Sequence, residues 1–318
     1  MTSTLPVGNQ VSPAGPSLRT LQRATAADLE AITGDRLLPP VVRYDPDRDR
    51  EPLPSHTASW LDVCHTSTAH DDYKPVLTTG WPDRWSVAYR HGEDEQTATV
   101  REVNPVDLLD ADPIRNSTWH RNSRARAGLH FMATTERLHW HESLFERELL
   151  IALDFDEGFN DLASQPFTLS WHDGHRLRSH TPDFAAVIDG EMWIVNVRPA
   201  PLVKPQLLEN AAATRAMCAL HGWREALVVG YAQPAHTVLK TIGAARRTAD
   251  PYSLGGEMLD LLADWGPTRF GDLVAATGVP VLARAVLQRL IWDREAAIDL
   301  TRLLTDETYV ALPAEVAA

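Results

Sequence analysis

Cysteine is scarce in this chain, cations are outnumbered, and no long apolar run occurs. Cys64 and Cys218 lie far apart without a CxxC spacing, which excludes a disulfide framework and a structural zinc site and leaves two buried thiols as the expectation. No stretch approaches the ~18 apolar residues that a membrane span requires. The opening MTSTLPVGNQVSPAGPS has neither a basic region followed by an apolar core nor a cleavage site, so no membrane partner and a cytoplasmic location are expected. Thirty Lys and Arg face 43 Asp and Glu, for a net charge of -13. That balance argues against a protein that coats nucleic acid by bulk electrostatics, a mode that needs many cations neutralising phosphates. The local exception is the stretch through Arg115, Arg121, Arg124 and Arg126, which encloses Trp119 and His120. It is the candidate DNA contact, although a solvated loop reads equally well from its composition.

What is present suggests four segments. Residues 1–56 are rich in Pro, Ser, Thr and charge and read as a mostly disordered tail, with one short helix near Ala26 to Thr33. Residues 57–127 form a small β-containing module in which WSVAYR (Trp85 to Arg90) and TATVREV (Thr97 to Val103) suggest a hairpin. Residues 128–235 carry the main pattern. ESLFERELLIAL reads as a helix with Asp154 to Asn160 as its exit loop, followed by strands at Gln165 to Trp171, Pro182 to Ile188 and Glu191 to Val197. LLENAAATRAMCALHGW makes a helix that Gly222 can close, and EALVVGYAQ is a further strand. Residues 236–318 show helices at Ser253 to Ala263, Phe270 to Ala276 and Pro280 to Trp292, then short strands AAIDL and TYVAL, an order like a winged helix. From Ser253 onward acids outnumber arginines about two to one, which favours protein contact over DNA reading.

The chemistry concentrates at one hairpin. Asp189-Gly190 is a two-residue turn signal; it pairs Ile188 with Glu191 and so sets Asp183 opposite Asn196. Arg198 joins them by alternation. Polar groups at one end of a pair apolar on both faces point to a metal-dependent phosphodiesterase centre. In such a centre strand acids hold Mg²⁺ through oxygen, the metal activates water, and a lysine orients it. Restriction-type nucleases write this as PD, then (D/E)xK, with a helix Glu. Here the letters are Pro182-Asp183, Asn196-Val197-Arg198, and Glu146 or Glu142.

Four motifs in order, ESLFERELL, DFDEGFNDLASQPF, HTPDFAAVIDGEMWIVNVRP and the tail with IDLTRLLTDETYVAL, resemble the TnsA-like endonuclease subunits of heteromeric transposases. The resemblance covers roughly Trp140 to Trp223 and extends through the tail. It implies an α/β fold with a restriction-endonuclease-like core, a mixed central sheet flanked by helices, and then a winged-helix-like domain. It further implies cleavage of DNA at transposon ends beside an integrase-like transposase partner. By resemblance Glu146, Asp183, Asn196 and Arg198 are the catalytic positions, with Glu146, Asp183 and Asn196 as Mg²⁺ ligands.

Two departures mark the motif as degenerate. Asn196 replaces an acid or Gln and brings no charge to a metal. Arg198 replaces Lys and stays charged, so it can clamp a phosphate but cannot act as a base; Lys204 is the nearest amine in sequence. Other readings stay open. Ser143-x-x-Glu146 is a capping box, Asp183 and Arg198 can form an internal ion pair, His139 and His141 can be structural, and Gln165-Pro166 can position a strand. A catalytically silent subunit that docks a partner or DNA is the alternative function.

Overall fold

The computed structural model of the chain describes residues 52–114 and 126–313, together with the two-residue strand β1 (Val7–Gly8). The helix expected near Ala26 to Thr33 lies outside the described residues, as do Arg115, Arg121 and Arg124. The architecture is mixed α/β and divides into two compact units, each discontinuous in sequence. The first comprises Met1–Tyr44, His65–Leu150 and Gly158–Gly230, and the second Asp45–Cys64, Ile151–Glu157 and Tyr231–Ala318.

In chain order the first unit holds β2 (Cys64–Ser67), β3 (Ser86–His91), β4 (Asp94–Thr99), α2 (Pro105–Leu109), β5 (Gly128–Met132) and β6 (Arg137–His141). The start of α3 (Leu144–Phe155) follows, then β7 (Phe159–Ser164), β8 (Thr168–His172), β9 (Leu177–His180), β10 (Phe184–Ile188), β11 (Glu191–Val197), α4 (Pro205–His221) and β12 (Arg224–Tyr231). Six strands form the central sheet in the order β1-β2-β12-β11-β10-β7, a second sheet runs β4-β3-β8-β9, and β5-β6 is a separate ribbon. β10 pairs antiparallel with both β7 and β11, whereas β11 and β12 are parallel. A parallel pair needs a crossover, and α4 supplies it.

Every residue of β10 and β11 is buried. Strand side chains alternate between faces, so both faces of this pair are covered. Ala185, Met192 and Ile194 share a core with Ala213, Ala216 and Met217 of α4 and with Val87, Leu169 and Trp171 of the second sheet. Burying side chains the size of Met or Ile stabilises by roughly 1.5–3 kcal/mol each. Helix α4 begins with Pro205 and ends on Gly222, whose φ of 69° is the left-handed cap. Its Ala-rich sequence lets it lie close on the sheet. Beside it, Glu225 of β12 is bonded to His70 (2.8 Å) and Arg215 (3.3 Å), and Arg215 reaches on to Asp71. Burial pushes the Glu225 carboxyl up, but the charges and hydrogen bonds of His70 and Arg215 outweigh it and hold the group below its ordinary value.

Three expectations change. The edge strand beside β10 is Phe159–Ser164, which starts inside the stretch read as an exit loop (Asp154 to Asn160) and runs on through residues to which the sequence assigns no element. The stretch read as one strand from Gln165 breaks at Gln165, whose φ is 47°, and resumes as β8 in the second sheet. A register shift between Val187 and Ile188 in the β7 pairing accommodates Asn160 and Asp161, whose polarity hid that strand. In the second module the hairpin expected at Trp85 to Val103 forms, but β4 starts at Asp94, because only Gly92 and Glu93 separate it from His91.

The second unit contains α1 (Trp60–Val63), the end of α3, α5 (Ala235–Gly243), α6 (Leu254–Trp265), β13 (Thr268–Arg269), α7 (Phe270–Ala276), α8 (Pro280–Trp292) and β14 (Tyr309–Val310). Helix α8 is central and packs on α5, α6 and α7. The expected strand AAIDL contributes two isolated bridges, Ala297 with Ala311 and Asp299 with Pro54, while β14 pairs with β13, a strand not expected from sequence. Helix α5, also missed, ends at Gly243, where a Cβ would lie 2.6 Å from the Trp292 ring. Among the described residues no helix is long and apolar enough to cross a membrane.

Asp154, Phe155 and Asp156 hold this unit together. The Asp154 carboxylate, fully buried, meets Arg246 at 3.3 Å. Phe155 packs edge-on against Trp292 with ring centroids 5.2 Å apart. Asp156 accepts the Trp60 N–H at 2.7 Å. Arg294 lies over Phe155 and donates to the carbonyls of His56, Ala58 and Phe155 at 2.6, 2.8 and 2.7 Å. Arg294→Ala strands these buried carbonyls and is expected to cost about 3 kcal/mol. The measurement is the urea midpoint of the intact chain; an unchanged midpoint contradicts this role.

Candidate functional site at the end of the central hairpin

The Asp189-Gly190 turn has φ of 53° and 72°, both left-handed as a type I′ hairpin requires. The observed register, Ile188 opposite Glu191 through Phe184 opposite Val195, carried one residue further sets Asp183 opposite Asn196. The two polar residues therefore meet at one end of an otherwise apolar pair. In a two-residue hairpin the pair closing the turn is hydrogen-bonded and alternate pairs follow, so Val197 would next bond with Pro182. Pro182 has no N–H to give to the Val197 carbonyl, and the Val197 N–H donates to Asp183 Oδ2 at 2.7 Å. On the other side the Asp183 carbonyl accepts the N–H of Gln165 at 2.8 Å. Gln165, buried and left-handed, thus ties the end of β7 to the start of β10.

Asn196 is 1% exposed. Its Oδ1 lies 2.7 Å from His180 Nε2, and His180 Nδ1 lies 3.3 Å from the amide nitrogen of Asn210 on α4. This pattern puts the ring proton on Nε2, so that Asn210 donates to His180 and His180 donates to Asn196. Asn196 Nδ2 is buried and has no hydrogen-bond partner among the described residues. His180 and Asn210 were not singled out from sequence. The available signals were a histidine three residues before Asp183 and a lone amide on an alanine-rich helix.

Glu146 is 8% exposed. Its Oε2 accepts the Glu142 N–H at 2.6 Å, its Oε1 accepts the Ser143 hydroxyl at 2.8 Å, and Ser143 Oγ accepts the Glu146 N–H at 3.2 Å. The box closes the start of α3. Burial pushes the Glu146 carboxyl above its ordinary value, helped by the neighbouring Glu142 charge and opposed by these bonds.

Arg198 follows β11, donates its backbone N–H to Val228 at 2.8 Å and has an exposed side chain. Lys204 is the exposed N-cap residue of α4. Arg126 is exposed. His139 and His141 are buried in β6, with His139 Nε2 2.7 Å from Thr135 Oγ1.

A Mg²⁺ site needs several hard oxygen donors turned toward one point, with anionic ones favoured. Both Glu146 oxygens serve the cap, and the single Asn196 oxygen serves His180. Among the described residues no group of three or more His, Cys, Asp and Glu is arranged to hold a metal. The side chains as arranged do not fit that ion. Set against known proteins, the chain matches no family model and no curated protein.

The cap makes two measurable claims. Ser143→Ala is expected to cost about 1 kcal/mol of stability. Because the folded carboxyl of Glu146 is raised, the native state holds more protons than the unfolded one in the window above the ordinary carboxylate value. Stability therefore falls as pH rises through that window. Glu146→Gln keeps an acceptor and removes the charge, so urea midpoints measured across that window should lose this part of their slope; an identical pH profile would refute the assignment.

Proposed function

We propose that the chain is a nuclease-fold subunit of a TnsA-like heteromeric transposase, acting at transposon-end DNA beside an integrase-like partner without cutting the DNA itself. The fold half of this reading is supported by element order. Setting aside the β8-β9 hairpin as an insertion, α3, β7, β10, β11, α4 and β12 follow one another as helix, antiparallel meander, crossover helix and parallel strand, the order of restriction-endonuclease-like cores. In the second unit α6, β13, α7, α8 and β14 follow the order of a winged helix. Fold alone does not assign function.

The observation that carries the silent half is how the expected ligands are used. Glu146 closes a helix and Asn196 is held by His180, while Arg198 brings a permanent charge where a lysine would be expected. Such an end can contact a phosphate but has no assembled metal or base. Partner docking through the C-terminal module is favoured by its charges. The five arginines from Ser253 onward are engaged within the unit: Arg269 with Glu307, Arg284 with Asp306, Arg289 with Asp293, Arg302 with Asp299, and Arg294 with backbone carbonyls. Few cations are left there for phosphates. A cytoplasmic setting belongs to the same reading.

The test is nicking of supercoiled DNA in Mg²⁺ or Mn²⁺, with and without the transposase encoded beside this chain. The native chain is expected to nick no faster than Asp183→Ala, and Asn196→Asp with Arg198→Lys is expected to remain silent because Glu146 stays in its cap. Nicking that disappears in Asp183→Ala would establish the cleaving subunit instead.

A further inference from the structure

The first unit holds a cavity of about 310 Å³, lined by the segment Tyr73 to Val76, by the β8-β9 hairpin and by α4. That volume lies at the small end of ligand pockets, which span ~300–1,000 Å³. The cavity shares no lining residue with the end of the β10-β11 hairpin.

Its charged groups are arranged in advance. Arg178 donates from Nε to Asp173 at 2.5 Å and from Nη2 to Glu209 at 3.1 Å, which holds the guanidinium in one place. Its remaining nitrogen, Nη1, makes no hydrogen bond among the described residues. Asp173 is fixed in turn by the N–H groups of His175 and Arg176, both at 2.9 Å. The Arg176 N–H, the Arg178 guanidinium and the His175 N–H hold the Asp173 carboxyl well below the ordinary carboxylate range, so the pair stays charged near neutral pH. Glu209 gives one oxygen to Arg178 and keeps Oε1 uncommitted among the described residues. Lys74 is exposed and forms no ion pair among them.

These features limit the occupant. Lys74 and Arg178 face Asp173 and Glu209 across the lining, so an ion of either sign held inside would lack a net counter-charge and would suffer the cost of burial. The inner part of the ligand is therefore neutral. Arg178 Nη1 requires an acceptor and Glu209 Oε1 a donor, so that part carries both. Tyr73 and Trp171 add aromatic rings to the lining, which suit a flat ring. Lys74, on the exposed side, is left for an anion. A nucleobase is a flat neutral ring with donors and acceptors along one edge, and its phosphate is the anion.

We propose that this cavity binds one unpaired nucleotide, with the base against Tyr73 and Trp171, its edge on Arg178 and Glu209, and the phosphate on Lys74. Unpaired bases are held in this way elsewhere, by stacking on aromatic side chains and by hydrogen bonds to their edges. The nucleotide is either free or part of a single strand, and the second source rests on the reading of the chain as a DNA-handling subunit.

The experiment titrates the full chain by calorimetry with the four deoxynucleoside monophosphates and, separately, with a mixed-sequence single-stranded deoxyoligonucleotide. Tyr73→Leu keeps an apolar side chain and removes the ring, Lys74→Gln removes the phosphate partner, and an unchanged melting midpoint checks that the fold survives. Tyr73→Leu is expected to weaken binding about tenfold. Lys74→Gln is expected to reduce the slope of log affinity against log salt for the oligonucleotide by about 0.7. Monophosphate binding weakened in both variants supports the site with a free nucleotide as its source; oligonucleotide binding alone, weakened in both, supports it with a single strand. Inorganic phosphate that binds as tightly as the monophosphates would reveal a bare anion site and overturn the assignment. If the oligonucleotide binds the native chain and both variants equally, the cavity assignment fails and the DNA-handling reading stands. A native chain that binds neither probe also overturns the proposal, and the nicking measurement then decides that reading by itself.

Discussion

The turn at Asp189-Gly190 is the constraint on which the central sheet depends. Both of its residues are left-handed, which fixes a two-residue loop and with it the register of β10 against β11. A slip of one residue would move Met192 and Ile194 off the face they share with α4 and bring the opposite set in. The turn is itself held from below. Asp189 donates its N–H to the Gly158 carbonyl at 2.7 Å, and a Cβ at Gly158 would fall on the Asp189 carboxylate. Gly158 therefore matters for close approach, and β7, which starts at the next residue, is positioned by the same contact.

At the other end of the hairpin, bonding is a competition. The Val197 N–H at the end of the ladder donates to the Asp183 carboxylate. The start of α3 leaves N–H groups to be satisfied, and Ser143 and Glu146 take them. Asn196 is buried where a carboxylate would suffer a desolvation penalty, and its oxygen is met by His180, which also meets Asn210. Each polar group has a local demand that it answers inside the protein. The exception is Asn196 Nδ2, buried without a partner among the described residues.

The Asp154-Phe155-Asp156 triplet illustrates how a motif and its use can differ. In sequence it was part of a pattern leading toward a catalytic centre. In the structure one carboxylate meets Arg246, the other holds the start of α1, and the ring lies between Trp292 and Arg294. These are cohesive contacts of the second unit. Buried pairs of this kind are costly to break, because removing one partner leaves the other charge unpaired.

Periodicity and turn chemistry in the sequence determined the central hairpin, the register that sets Asp183 opposite Asn196, the long helix ending at Gly222, and the three helices of the C-terminal module. These are local signals: Asp-Gly fixes its own dihedrals, glycine its own cap, and an apolar period its own face. The sequence also showed that Ser143 and Glu146 could form a capping box, without deciding between that and a metal role. Only the tertiary structure decided that the box is formed, that β7 rather than the Gln165 stretch borders β10, and that His180 and Asn210 hold Asn196. The last two outcomes depend on partners 16 to 30 residues apart in the chain, brought together by packing that no local pattern encodes. The same holds for the ribbon: alternation at residues 128–141 tells which side chains share a face, but which face is buried is set by what the rest of the unit lays against it.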